Sequence, residues 1–274
     1  MTRIDLPTHQ IVGFRADNPS PFTLSGTNSW IVGSGPGWLV DPGPALAAHV
    51  EALAAEIDRR GGLGGVALTH DHADHAGAVA MIHERYPSAR LAGARGEVDV
   101  RLRDGVRFGP LEAIATPGHA PDHMALIAGT AGLTGDAVLG EGSVFIAPDP
   151  GALAGYLHGL TSLRNRCLDV LCPGHGPPIG DPAAKLDAYI AHRRDRERRL
   201  IDALEAGARS VAEMLGAAWD DVPPPLLPAA TVTLAAHLDK LAVEGRLPPG
   251  VERPTGVQLI PAEPGPPDPH GGLG

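Results

Sequence analysis

The stretch His70-Asp71-His72-Ala73-Asp74-His75 holds three imidazoles and two carboxylates within six residues, and its reading decides the fold. Gly65-Val66-Ala67-Leu68-Thr69, just before it, is a short apolar run that follows glycines. Such a run reads as a buried strand delivering the histidines at its carboxyl end, where layered α/β folds keep their active-site loops. A lone histidine is more often a solvated or structural side chain, but a loop this dense in nitrogen and carboxylate donors is a chelator suited to zinc. On an extended backbone, residues 70, 72 and 74 point to one side, so Asp74 and His75 must diverge. One of them can then serve a second cation, at the separation of about 3.5–4 Å that two-metal hydrolases use.

The same design recurs further along. Residues 111–116 form an apolar run that ends in Pro117-Gly118-His119; residues 132–136 end in Gly135-Asp136; residues 168–172 lead into Gly174-His175-Gly176. In each case an apolar run is followed by a glycine, which permits a sharp turn, and then by a ligand-type residue. His70, His72, Asp74, His75, His119, Asp136 and His175 therefore form a candidate metal set of seven donors at strand ends. His9, His49, His83, His158, His192, His237 and His270 lack that context and read as structural or exposed.

Composition narrows the class. With 274 residues the chain can bury a substantial core and hold one large domain and a small one. A formal charge of −10 disfavours a nonspecific grip on nucleic acid or an anionic membrane surface. Cys167 and Cys172 form no C-x-x-C pair and are read as reduced thiols of a cytoplasmic protein. The first residues carry no signal-peptide core and no run of eighteen apolar residues occurs, so no membrane association is expected.

Local patterns fill in the rest. Residues 9–14, 27–33 and 38–41 read as an antiparallel meander, with Asp41 at the tip of its third strand. Asp41 suits either a turn or the support of a ligand histidine. Apolar positions at helical spacing predict helices over residues 46–60, 76–86 and 181–205. Arg95, Arg101, Arg103 and Arg107, interspersed with Glu97, Asp99 and Asp104, read as a solvated surface.

Taken together, these residues resemble the metallo-β-lactamase fold superfamily. The motif His70-x-His72-x-Asp74-His75, then His119, Asp136 and His175, matches its pattern in order and approximate spacing over residues 10 to 206. The resemblance implies an α/β fold, an αββα sandwich with a two-zinc site at one edge. By position, His70, His72 and His119 would hold the first zinc, Asp74, His75 and His175 the second, and Asp136 would bridge them; iron or manganese are alternatives. Asp74 would also be catalytic, orienting a metal-bridged hydroxide and accepting its proton.

Residues 116–124, 135–142 and 173–177, with the helix that carries Tyr189, His192 and Arg193, look like the subgroup with a carboxyl-terminal winged-helix domain. That subgroup includes a single-strand-specific endoribonuclease and thioesterases. The departures exclude other branches: true zinc β-lactamases lack a ligand histidine at the position of His75, and the di-iron oxygen reductases have a glutamate where this chain has His72. The expected layout is a hydrolase domain over residues 1–206, a winged-helix-like domain over 207–262 and a flexible tail over 263–274. The second domain is acidic and thus a poor reader of DNA sequence; it would instead wall the cleft or make a homodimer contact.

The expected function is zinc-dependent hydrolysis of a thioester or related small-molecule acyl substrate. Cleavage of single-stranded RNA is the alternative, kept by the basic helix around Arg193–Arg199. A DNA-binding regulator with a structural metal is a third reading, which failure to shift a duplex at low salt would remove.

Overall fold

The computed structural model describes residues 2–255. Its first sheet contains β1 (Thr2–Leu6), β2 (Ile11–Arg15), β3 (Asn28–Val32), β4 (Gly37–Val40), β5 (Leu63–Ala67), β6 (Leu91–Gly93) and β7 (Val100–Arg101), in that spatial order. β1 to β4 run antiparallel, and β4 to β7 run parallel. Parallel neighbours need crossovers, which are supplied by α1 (Ala47–Arg59) and then by α2 (Ala73–Ala76) and α3 (Val79–Arg85). The second sheet holds β8 (Arg107–Phe108), β9 (Leu111–Ala115), β10 (Met124–Ala128), β11 (Ala131–Gly135) and β12 (Val170–Pro173), with β12 at one edge beside β11. α4 (Ala152–Arg164) makes the parallel crossover from β11 to β12, and α5 (Pro182–Glu205), α6 (Val211–Ala218) and α7 (Leu227–Val243) complete the chain.

Side-chain alternation along the strands produces the layers. In β2 and β3, Ile11 and Trp30 face inward and join Leu111, Leu126 and Leu133 of the second sheet. Their neighbours Val12 and Ile31 face outward and pack under Leu53 and Ile57 of α1 and Ile82 of α3. On the far side Ile114, Ile127 and Leu171 lie beneath Leu153, Tyr156, Leu160 and Leu163 of α4 and Leu186 of α5. The result is the expected αββα sandwich.

Several local differences have clear causes. The helix expected over residues 76–86 begins earlier and is broken, because Ala78 N–H donates to Gly43 O at 2.9 Å. Asp74 and His75 therefore lie on one helical turn rather than on an extended strand, and they diverge because successive helical residues are rotated apart. β1 and α4 have no counterpart among the sequence-based expectations, although Leu153, Tyr156, Leu160 and Leu163 recur at helical spacing.

At the carboxyl end, Asp181 caps α5 by accepting from Ala184 N–H, and Ser210 and Glu213 form a reciprocal capping box on α6. Leu234, Leu238 and Leu241 of α7 close a core with Leu200 and Leu204 of α5 and Met214 of α6. Ala236, on another face of α7, joins the core under α4, so the sandwich and its terminal helices are continuous. The last part of the winged-helix-like domain expected over 207–262, from residue 256 on, and the tail over 263–274 lie outside the described residues.

Candidate metal centre

Each loop of the site leaves the carboxyl end of a strand or the turn beside one. β5 delivers His70 and His72, α2 carries Asp74 and His75, the turn before β10 carries His119, and β11 and β12 deliver Asp136 and His175. All seven converge. His70, His72 and His119 form one group with donor atoms within 4.8 Å of one another, and Asp74, His75 and His175 form another. Asp136 lies between them: its carboxylate is 3.4 Å from His75 Nε2, 3.5 Å from His119 Nε2 and 3.3 Å from His175 Nε2.

The supports behind the cluster fix its tautomers. Asp41, at φ 51 after β4, accepts from Thr69 N–H and Thr69 Oγ1–H, both at 2.7 Å, and from His75 Nδ1–H at 2.9 Å. An ionised carboxylate only accepts, so His75 carries a proton on Nδ1 and turns Nε2 into the cavity, where a cation would replace any proton on it. Thr69 has given its hydroxyl proton to Asp41, so it accepts from His70 Nδ1–H at 3.0 Å and leaves His70 Nε2 bare. His175 Nδ1 donates to Gly26 O at 3.3 Å, which turns its Nε2 inward. Asp41 thus takes the supporting role open to it from sequence.

Two further side chains complete the scaffold. His123 is fully buried beside His70, and its Nε2 accepts from Asp136 N–H at 3.0 Å while its Nδ1 bonds Thr116 Oγ1 at 2.8 Å. With both nitrogens engaged it positions Asp136 and is no ligand. Asn28 donates to Pro173 O and Gly176 O at 3.0 and 2.8 Å, which pins the turn bearing His175. Sequence reasoning assigned neither residue a role, because the partners of Asn28 lie some 145 positions away and His123 shares its motif with His119.

The electrostatics are those of a cation site. Burial drives His70 well below its ordinary value and brings His119 to about 4, so both are neutral donors. Burial opposes charge on His75 and His175 too, but the nearby carboxylates outweigh it, raising His75 well above its usual value and His175 to about 9. Burial pushes Asp74 and Asp136 upward, yet the imidazoles hold Asp74 at about 2 and Asp136 well below the carboxylate range. His70 Nε2, His75 Nε2 and Asp136 Oδ1 are all buried without a hydrogen-bond partner. Buried polar atoms without partners are costly, and several converging on one cavity fit bound metal.

Gly174 shows how tightly the cavity is built. A Cβ there would stand 2.5 Å from Asp136 Oδ1 and 2.6 Å from His75 Cε1. Gly174→Ala is therefore expected to displace both side chains and lower metal content per chain by at least half, as read by elemental analysis; a fully loaded variant would refute the packing argument.

Comparison with known proteins identifies the family. A family model described as the metallo-β-lactamase superfamily matches residues 22–99. A β-lactamase-like protein 2 homologue of Caenorhabditis elegans is 32% identical over 206 residues, which span 69% of this chain and 68% of that protein. The chain belongs to the metallo-β-lactamase superfamily. Another member, an atrochrysone carboxyl ACP thioesterase of Aspergillus chevalieri, is 34% identical over 210 residues, 72% of this chain and 66% of its own. A solved β-lactamase domain protein from Burkholderia ambifaria superposes with a TM-score of 0.72 at 22% identity, covering 89% of this chain and 88% of its own, which supports the fold. Superfamily members are generally hydrolases, and the His and Asp clusters fit metal ions.

Proposed function

We propose that the chain is a dinuclear metal-dependent hydrolase, zinc being the metal best suited to the donor set, and that it acts on acyl thioesters. The observation that carries this reading is the pair of three-donor groups with Asp136 between them. His70, His72 and His119 would hold one cation, Asp74, His75 and His175 the other, and Asp136 both. Bound there, the cations supply Lewis acidity and lower the pKa of water towards neutrality. Asp74 is partly exposed at the cavity mouth, with Oδ2 fixed by Thr27 Oγ1–H at 3.0 Å, so it can orient a water molecule and accept its proton. No side-chain nucleophile is required, and burial pushes the nearby Cys172 thiol up to about 12, which keeps it unreactive.

Two features favour an acyl substrate over RNA. The basic stretch of α5 is spent internally: Arg196 pairs with Asp221, Arg198 with Asp195 and Asp202, and Arg199 with Asp220. Arg193 is buried and donates to Ser143 Oγ and Val144 O. Beside the metal centre, the half-buried ring of Phe145 lies 4.6 Å from the His119 ring and offers an apolar wall. Arg193 holds that loop from α5, and Thr233 of α7 accepts Ile146 N–H at 3.3 Å, so the terminal helices would wall one side of the cleft. The relative named as an acyl-carrier thioesterase supports the same chemistry.

The test is parallel assay of metal-loaded protein on acyl thioesters and single-stranded RNA. About two metal ions per chain are expected, with kcat on a saturating thioester nearly indifferent to salt. RNA cleavage that falls steeply with salt, without thioester turnover, would reverse the choice of substrate.

A further inference from the structure

Next to the metal centre, a concavity of about 530 Å³ is lined by Arg95, Arg101, Arg103, Pro121, Asp122 and Met124. Its arginines come from β7 and the loops flanking it, one strand over from β6 and two from β5, which delivers His70. Pro121 and Asp122 belong to the short turn that carries His119 and His123. The metal centre and the pocket therefore share a wall, and Asp122 has Asp71 and His72 as neighbours as well as Arg95.

Arg95, Arg101 and Arg103 are exposed, as expected of a solvated surface, yet the carboxylates interspersed with them in sequence are directed elsewhere. Asp99 is occupied by Leu91 N–H at 2.8 Å and Asp104 by Ala115 N–H at 2.9 Å. Arg107 pairs with Glu112, but among the described residues Arg95, Arg101 and Arg103 make no ion pair; Arg101 donates to Gly96 O. Three guanidinium groups without ion pairs among the described residues, against the single carboxylate of Asp122 on the same concavity, leave it locally basic in a chain of net charge −10. Arginine forks match phosphate oxygens in pairs. The site is one shallow, open concavity of small-molecule size rather than the long stripe a polynucleotide backbone needs.

We propose that this pocket holds a phosphate group on the thiol arm of the substrate while the scissile acyl group lies at the metal centre. The inference rests on the thioesterase reading above and names its substrate class: thioesters of phosphorylated thiols. Asp122 repels an anion from the side towards His72, so the phosphate sits at the arginine end. That phosphate can be a single one on a pantetheine arm or belong to the nucleotide end of a coenzyme A arm.

The experiment compares metal-loaded native protein with the R95A/R101A/R103A variant on acetyl thioesters of N-acetylcysteamine, 4′-phosphopantetheine and coenzyme A. Calorimetric binding of free coenzyme A is measured alongside. For the native protein the phosphorylated thioesters are expected to exceed N-acetylcysteamine roughly ten- to hundredfold in kcat/KM, mostly through KM. In the variant the ratio falls towards one, and coenzyme A binding weakens by a similar factor. Arginine dependence already complete with phosphopantetheine assigns the pantetheine phosphate; dependence confined to coenzyme A assigns the nucleotide phosphates. Single Arg95→Ala and Arg103→Ala variants, each at an exposed position, should give partial losses, which separates the effect from misfolding.

An unchanged ratio with unchanged coenzyme A binding overturns the proposal, as does a variant that loses affinity for a single-stranded oligonucleotide but not for coenzyme A. If no thioester is hydrolysed, the functional reading fails, while arginine-dependent binding of coenzyme A still supports the pocket and arginine-independent binding still refutes it.

Discussion

Replacing Asp74 by alanine is expected to lower kcat/KM on a thioester by roughly 10²–10⁴-fold, the range of a lost general base. The melting midpoint and far-UV circular dichroism should remain near native. Among the seven donors Asp74 has a side chain that keeps 28% of its exposure, so its removal opens no sealed cavity. Its Oδ2 stands 3.3 Å from both His75 Nε2 and His175 Nε2, which places it at the mouth of their cation site. Asp74→Asn separates two contributions. The amide retains an oxygen towards the site and a partner for Thr27 but accepts no proton at neutral pH, so metal content should survive better than in the alanine variant while kcat remains low. An alanine variant with full metal and more than a tenth of native turnover would move the proton-accepting role elsewhere.

What the sequence makes legible follows from where the partners of each residue lie. The His70 motif is local, and its neighbours within six residues already declare a chelator. His119, Asp136 and His175 each follow a glycine at a strand end, so the backbone chemistry announces the turn before the fold is known. By contrast, the role of Asp41 depends on Thr69 and His75, 28 and 34 positions away, and becomes definite only when β4 and β5 lie side by side. The arginines of residues 95–103 are exposed, as their sequence suggests, but which groups meet them is settled by the fold for a related reason. Proximity in sequence suggested compensation by Asp99 and Asp104, whereas the hairpin geometry turns those carboxylates onto backbone amides. The same holds in reverse for α5, whose arginines look free in sequence and are paired by Asp220 and Asp221 after the following helix. α4 lacks a side-chain cap and follows Gly151 at φ 78, so no start signal marked it.

Asp41→Ala should have the larger effect on the folded state. Asp41 is 1% exposed, and its carboxylate satisfies Thr69 N–H, Thr69 Oγ1–H and His75 Nδ1–H. Truncation leaves three buried donors without an acceptor and removes a buried charge facing an imidazole. A loss of about 3 kcal/mol or more is expected by denaturant titration. Metal affinity should fall by roughly 10–100-fold, the usual consequence of losing the group that orients a ligand histidine. Asp41→Asn is nearly isosteric and is nevertheless expected to fail in metal binding. Its oxygen can serve Thr69 N–H, but its amide nitrogen then meets the Thr69 hydroxyl and His75 Nδ1–H, both donors. Relief comes from turning the Thr69 proton towards His70 Nδ1, which stands 3.0 Å away, and that forces the His70 proton onto Nε2. One amide thereby disables two donors, one in each three-residue group, which the carboxylate had kept open to a cation. Zinc titration of the Asn variant is the decisive measurement: native affinity would show that the carboxylate does not set these tautomers, whereas the joint weakening of both cation sites follows only if it does.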